Sequence, residues 1–321
     1  LSQIEGVYVY RYNVTKIYYL IFSIMADQKE TIKELEGSGQ YKVICKYEKP
    51  DFYCQDDGSE KLQGIFLDVE TTGLSHEIDK IIEIALVPFE FSKDGRIFNV
   101  NDAYSCLEDP QIPLSQKIIS LTGLTDEMLA GKSFDIDVIK KFVEPSDLII
   151  AHNASFDRKF IEKRFPFFKT KSWACSFSQV PWESEGIASM KLEYLAYKFG
   201  FFFEGHRAEI DCYASLHLLS KTLPMSGDLV LNALLRSARI KSYRVWAMGS
   251  SFDKKDLLKN RGYKWWPGVV GRSRSWYIDI DEQTLDSELE YLRKEIYGRD
   301  MNLPIDPITP FNRFSERIGV S

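Results

Sequence analysis

Cysteine is scarce in this chain of 321 residues: Cys45, Cys54, Cys106, Cys175 and Cys212 are odd in number, widely spread and never form a CxxC pair. That pattern excludes a disulfide framework and a cysteine-built zinc site, and it reads as a chain kept in a reducing, cytoplasmic compartment. Long apolar runs are lacking too. The N-terminal run from Ile17 to Ala26 is about half of the roughly 20 residues a spanning helix needs, and Arg11, Asn13 and Lys16 break any longer window, so no stable membrane insertion is expected. No internal repeat is present. An excess of basic charge is also missing, since 41 Lys and Arg face 47 Asp and Glu for a net charge of -6. A polyanion partner survives that deficit only if local patches matter more than the total, which they do when screening limits charge interactions to about 8 Å.

What is present is an apolar content of 44% with 14% aromatic residues, which suits a packed core and excludes a long disordered chain. The length fits one large domain with a smaller one. Residues 1–40 read as an N-terminal extension, with Met25 the expected start and 1–24 an upstream segment. Residues 41–222 read as the main domain. Residues 231–297 form a second, smaller α+β unit after a hinge in Met225 to Leu229. Residues 298–321, with Pro304, Pro307 and Pro310, are expected to be a loose tail.

Within the main domain, Tyr41 to Tyr47 alternates as a strand should, and Gly64 to Glu70 is an apolar run suited to a buried strand. Lys80 to Phe91 and Arg96 to Glu108 flank the turn Ser92 to Gly95 as a hairpin. Asp147 to Asn153 is a further buried strand. Ser155 to Phe165 is a helix expected to expose its polar face, and Met190 to Gly200 and Ala208 to Leu223 are amphipathic helices. Strands first and helices after give an α/β fold: one mixed sheet with helices on its faces, of the ribonuclease H-like kind.

Three blocks carry chemistry: LDVETTG at Leu67 to Gly73, HNASFD at His152 to Asp157, and HRAEID at His206 to Asp211. Asp68 and Glu70 are two apart on a strand, so the period of two puts both carboxylates on one face, where they repel unless a cation lies between them. Such oxygen ligands suit magnesium or manganese. Asp157 falls in the first turn of a helix, and Asp211 about one turn into the last one. His206 lies in a loop, where an imidazole fits the role of proton acceptor at neutral pH. Taken singly, the helix aspartates also read as solvated faces and His206 as a surface histidine. Together, four carboxylates and one imidazole fit a phosphodiester and two divalent ions, a cluster that is neutral only when loaded.

The order and spacing of these blocks resemble the DnaQ-like 3′-to-5′ exonucleases of the DEDDh subgroup. The family's D-x-E-T-T-G motif matches Asp68 to Gly73, H-N-x-x-F-D matches His152 to Asp157, and H-x4-D matches His206 to Asp211; Leu121 to Thr125 is similar to a segment that touches the terminal nucleotide. The resemblance implies two-metal hydrolysis with His206 as general base. It also implies that Asp68, Glu70, Asp157 and Asp211 hold the metals, and that Thr71, Thr72, Gly73, Leu74, Leu124, Asn153 and Phe156 hold the terminal sugar and base of a single-stranded or frayed 3′ end. DNA is expected over RNA. An exoribonuclease and a non-catalytic nucleic-acid-binding module are the alternatives, and a polymerase or repair partner and a homodimer stay open.

Between Arg236 and Trp276 the local charge reverses, with eleven basic residues against Asp253 and Asp256, together with Trp246, Trp265, Trp266 and Trp276. Aromatic residues interleaved with cations suit single-stranded nucleic acid, and the expected contacts are Arg261, Lys264, Trp265, Arg272 and Arg274. The same segment is similar to the small C-terminal domain appended to exonuclease X-like proteins.

Overall fold

The computed structural model describes residues 30–268 and 273–319. The N-terminal segment 1–24 and Arg272 therefore lie outside the described residues. A helix, α1, occupies 30–37, and the strand expected over Tyr41 to Tyr47 is only β1 (Cys45–Lys46), paired in parallel with β8 (Phe201–Phe202).

The main sheet is mixed and ribonuclease H-like. Its strands are β2 (Leu62–Thr71), β3 (Ile81–Phe91), β4 (Ile97–Val100), β5 (Tyr104–Leu107), β6 (Leu148–Ala151) and β7 (Trp173–Cys175). They run in the order β4-β3-β2-β6-β7, with β5 also on β3. β3 is antiparallel to β2 across a hairpin, whereas β6 and β7 run parallel because helices cross over between them. Strand alternation divides the core into two layers. Ile65, Leu67 and Val69 pack with Phe160 and Ile161 of α5 (Ala154–Arg164). Phe66, Ala85 and Val87 pack with Cys212, Leu216 and Leu219 of α7 (Ala208–Leu219). Asp68 and Glu70 continue the Phe66 face, so the same period that fills the α7 layer delivers two carboxylates to its open end.

The segment expected to begin the second unit is shared. α8 (Val230–Arg239) buries Val230, Leu231, Leu234 and Leu235 in the α7 layer, so the small unit's own structure starts at β9 (Ser242–Ala247). That unit is an antiparallel sheet in the order β10-β11-β9-β12, from β10 (Lys264–Trp266), β11 (Ser275–Asp281) and β12 (Ile305–Ile308). The helices α9 (Lys255–Asn260) and α10 (Leu285–Tyr291) cover it, with Val245, Leu258, Leu292 and Ile296 at its core.

The proline-rich tail is not loose. β12 pairs with β9, and Pro307 is tolerated because β12 is an edge strand that need not donate on both sides. Beyond it the chain folds back over the main domain, and the Pro310 carbonyl accepts from the Trp173 amide at 2.9 Å. The polar face of α5, expected in solvent, is what the tail covers. Arg158 is 0% exposed and donates to Glu162 at 2.7 Å and to the carbonyls of Arg313 and Phe311 at 2.7 and 2.6 Å. Glu162 in turn accepts from Ser315 at 2.6 Å and Arg317 at 2.9 Å.

Candidate active site

The strand β2 ends where the chain must turn away from the sheet, and Asp79 fixes that turn. Its carboxylate accepts from the Thr72 hydroxyl at 3.0 Å and the Ser75 amide at 2.9 Å. A Cβ on Gly73 would stand 2.6 Å from either carboxylate oxygen, so the block ends in glycine for close approach. Thr71 donates to the Gly73 carbonyl at 2.6 Å, and Leu74 is left 84% exposed at the tip.

Asp68, Glu70 and Asp211 meet, with one carboxylate oxygen of each within 4.8 Å of the others. Asp157, in the first turn of α5 and 2% exposed, adds a fourth negative group, one that raises the proton affinity of Asp68. Burial is the main cause throughout, reinforced by like charges. It lifts Asp68 and Asp157 well above the usual carboxylate range. Glu70 is pushed up to about 8 by burial, then by Asp211 and Glu83, and Asp211 to about 7 by burial against the pull of the Arg207 and His206 amides.

Glu83 is the functional neighbour that sequence reasoning passed over. It is fully buried on β3 and directly opposite Glu70 in the strand register. Arg207 grips it with Nε at 3.2 Å from both oxygens and Nη2 at 2.9 Å from Oε1, while the Ala208 amide donates at 3.2 Å. This fork ties the start of α7 to the sheet, and the Arg207 amide donates to Asp211 at 3.1 Å. In sequence, a lone Glu in IIEIALV looks like an ordinary strand residue; only the register with Glu70 sets it apart.

His206 takes a left-handed backbone, φ 66°, beside Gly205, and its exposed ring brings Nε2 to 3.9 Å from Glu193 Oε1. Its backbone, rather than its ring, contacts Asp211. His152, by contrast, is internal. Its ring nitrogens lie 2.9 Å from Ser176 Oγ and 2.8 Å from the Met190 carbonyl, and burial holds its pKa down to about 4. Asn153 adopts φ 71° with its side chain exposed, and Phe156 packs on Phe160 at 4.9 Å between ring centres.

Two of the expected nucleotide contacts are engaged within the protein itself. Leu124 is fully buried with Ile82, Leu114 and Leu129, so its side chain is core, while Leu121 of the same segment is exposed. Arg261 is bound by Glu288 at 2.9 Å, and its guanidinium lies 3.8 Å from the ring centre of Tyr291, which makes it part of the small unit's own packing. Lys264, Trp265 and Arg274 are exposed.

The donor set fits a hard divalent cation. Its members offer carboxylate oxygens alone, and the Arg207 guanidinium, whose charge reaches Glu70, is engaged by Glu83. Among the described residues no helix is long and apolar enough to cross a membrane.

Residues 65–219 match the RNase_T family model, described as exonuclease. The chain is 46% identical over 99 residues to the DNA polymerase III PolC-type of Bacillus subtilis (30% of this chain, 6% of the relative). It is 34% identical over 142 residues to that of Caldanaerobacter subterraneus subsp. tengcongensis (40% of this chain, 10% of the relative). It thus spans no more than a tenth of the length of these curated relatives. Among solved structures, exonuclease X in complex with 5′ overhanging duplex DNA is 26% identical with a TM-score of 0.39, covering 52% of this chain and 99% of that one.

Proposed function

We infer, from a chain whose residues 65–219 form an exonuclease-family domain of the DnaQ-like fold, that the protein removes nucleotides from the 3′ end of single-stranded or frayed DNA as nucleoside 5′-monophosphates. The observation that carries this reading is the carboxylate nest, whose crowding and burial raise its members' proton affinity even though Arg207 draws on Glu70. DNA is favoured over RNA because the curated relatives named above are DNA polymerases, and a polymerase or repair partner follows from the same likeness.

Asp68, Glu70, Asp157 and Asp211 are the residues that would hold two divalent ions, magnesium or manganese. When bound, such a pair neutralises developing charge on the phosphodiester and eases loss of a proton from water. The chain's own residues supply the rest. His206 accepts the proton of the attacking water on its imidazole, a role typically contributing about 10² to 10⁴-fold, and Glu193 stabilises the imidazolium that results. The turn Thr71, Thr72, Gly73, stapled by Asp79, presents backbone groups to the terminal nucleotide. Leu74, Asn153 and Phe156 border its sugar and base. Glu83 and Arg207 are positioning residues, setting where α7 delivers Asp211.

An end-labelled single-stranded oligonucleotide with Mg²⁺ tests the reading. Wild type should shorten it stepwise from the 3′ end with mononucleotide as product. His206→Ala should lower turnover about 10² to 10⁴-fold while keeping stabilisation by Mg²⁺, and Asp211→Asn should lose both. Near-normal turnover in either variant, or endonucleolytic fragments from wild type, would falsify the assignment.

A further inference from the structure

The basic stretch from Arg236 to Trp276 separates, once folded, into two populations. Arg236, Lys241, Arg244 and Arg261 pair with Asp228, Glu282, Asp279 and Glu288. Lys254, Lys255, Lys259, Lys264 and Arg274 make no ion pair among the described residues, and of these Lys255, at the start of α9, and Arg274, just before β11, line one cavity. The tryptophans divide likewise. Trp246 is core, with its Nε1 donating to Asp306 at 2.6 Å, whereas Trp265 is 50% exposed and stands opposite Trp276 in the strand register, their rings edge to face at 5.4 Å.

Accessible aromatics and cations that make no ion pair among the described residues coincide in one cleft. A cavity of about 410 Å³ is lined by Phe252, Lys255, Trp265, Arg274 and Trp276. Phe252 is 77% exposed, and the Lys255 ammonium lies 4.2 Å from its ring centre. An aromatic side chain that exposed is costly in water unless a flat partner covers it, and a cation beside it places positive charge where a phosphate would run. We propose that this cleft is a second single-stranded nucleic-acid site, in which Phe252, Trp265 and Trp276 stack bases while Lys255 and Arg274 bind the adjoining phosphates. It differs from the carboxylate nest in domain, charge and chemistry, and it would hold the body of a strand whose end is trimmed elsewhere. Stacking reads every base face alike, so the site is expected to be indifferent to sequence and sensitive to salt. The proposal rests on the nuclease reading only for its kinetic assay.

Two measurements on the full chain test it. In the Asp211→Asn background, fluorescence anisotropy with a labelled thymidylate oligomer long enough to span both units should show Kd rising about tenfold in the double variant Phe252→Ala/Trp265→Ala, with partial recovery for Trp265→Tyr. Lys255→Gln/Arg274→Gln should also flatten the dependence of log Kd on log salt, by about 0.7 per lost phosphate contact. With the catalytic residues intact, the ratio of kcat/KM on the long oligomer to that on a thymidylate trimer should fall about tenfold in the aromatic double variant, since only the long strand reaches the cleft. Phe252 and Trp265 are exposed, so their truncation leaves the core of the unit intact. Unchanged anisotropy and an unchanged ratio overturn the second site, as does an equal loss on both substrates. If wild type hydrolyses neither substrate, the nuclease reading fails, and the anisotropy series still decides the cleft.

Discussion

Of the places in this molecule that bury ionisable side chains, two do it in opposite ways. Beneath the tail, Arg158 and Glu162 are each matched: the guanidinium meets a carboxylate and main-chain carbonyls, and the carboxylate meets a hydroxyl and a second arginine. At the end of β2, Asp68, Glu70, Asp157 and Asp211 crowd together, with a few amides and one arginine, Arg207, that is itself engaged by Glu83. The first arrangement satisfies its charges and locks the tail onto α5. The second sets like charges against one another, which costs stability and is an arrangement a divalent cation would relieve.

Removing a charge should therefore have opposite consequences at the two places. Asp68→Asn is expected to lower kcat/KM by more than the roughly 10- to 100-fold typical of losing an outer-sphere partner. It should also raise the melting temperature of the metal-free protein, because a repelled carboxylate is gone. Arg158→Ala should do the reverse, costing about 3 to 5 kcal/mol by urea titration because it strands Glu162 and several carbonyls. A destabilised Asp68→Asn, or an Arg158→Ala as stable as wild type, would erase the contrast.

A smaller effect is expected at the start of α7, beside the nest. Arg207→Lys keeps the charge beside Glu83 but loses the fork, and kcat/KM should fall about 10-fold with KM for Mg²⁺ rising, while the fold stays intact by circular dichroism. Wild-type Mg²⁺ dependence in that variant would reduce Arg207 to a purely structural tie.

The smallest effect sharpens the sign. Glu70 and Asp211 titrate near 8 and 7 when folded, above their unfolded values, so the native state holds more protons and stability is lost as pH rises through that range. His152 and His217 act the other way: held near 4 when folded, they favour the native state increasingly as pH climbs toward the ordinary histidine value of about 6.5 and no further. Between about pH 6.5 and 8 only the carboxylates act, so the melting temperature of metal-free protein should decline there, and Mg²⁺ should flatten the decline. A rise over that window in metal-free protein would contradict the uncompensated nest.

Much of the acidic site was legible because strand periodicity alone aligns Asp68 with Glu70, and motif spacing carries Asp157 and Asp211 to the same sheet end. Glu83 was not legible, because nothing local distinguishes it; its position follows from pairing between two strands. The tail escaped for a related reason. Prolines at 304, 307 and 310 rule out a helix, yet they permit an edge strand and leave every carbonyl free to accept, and it is those carbonyls that Arg158 finds. Arg158 itself looked like the solvated face of α5 until a distant segment covered it. The surroundings of Leu124 and Arg261 were not legible either, since a motif-like neighbourhood and a basic run say nothing about whether a side chain packs or pairs within the fold.

The facing pair Glu70 and Glu83 also bears on how the chain assembles. The β2–β3 hairpin closes from nearby sequence, whereas the arginine that quiets Glu83 arrives from 124 positions away. Until α7 docks, the young hairpin must carry two like charges side by side, which opposes pairing. Magnesium in a refolding buffer is thus expected to act as a temporary mortar, speeding recovery of the native chain well before any substrate is present.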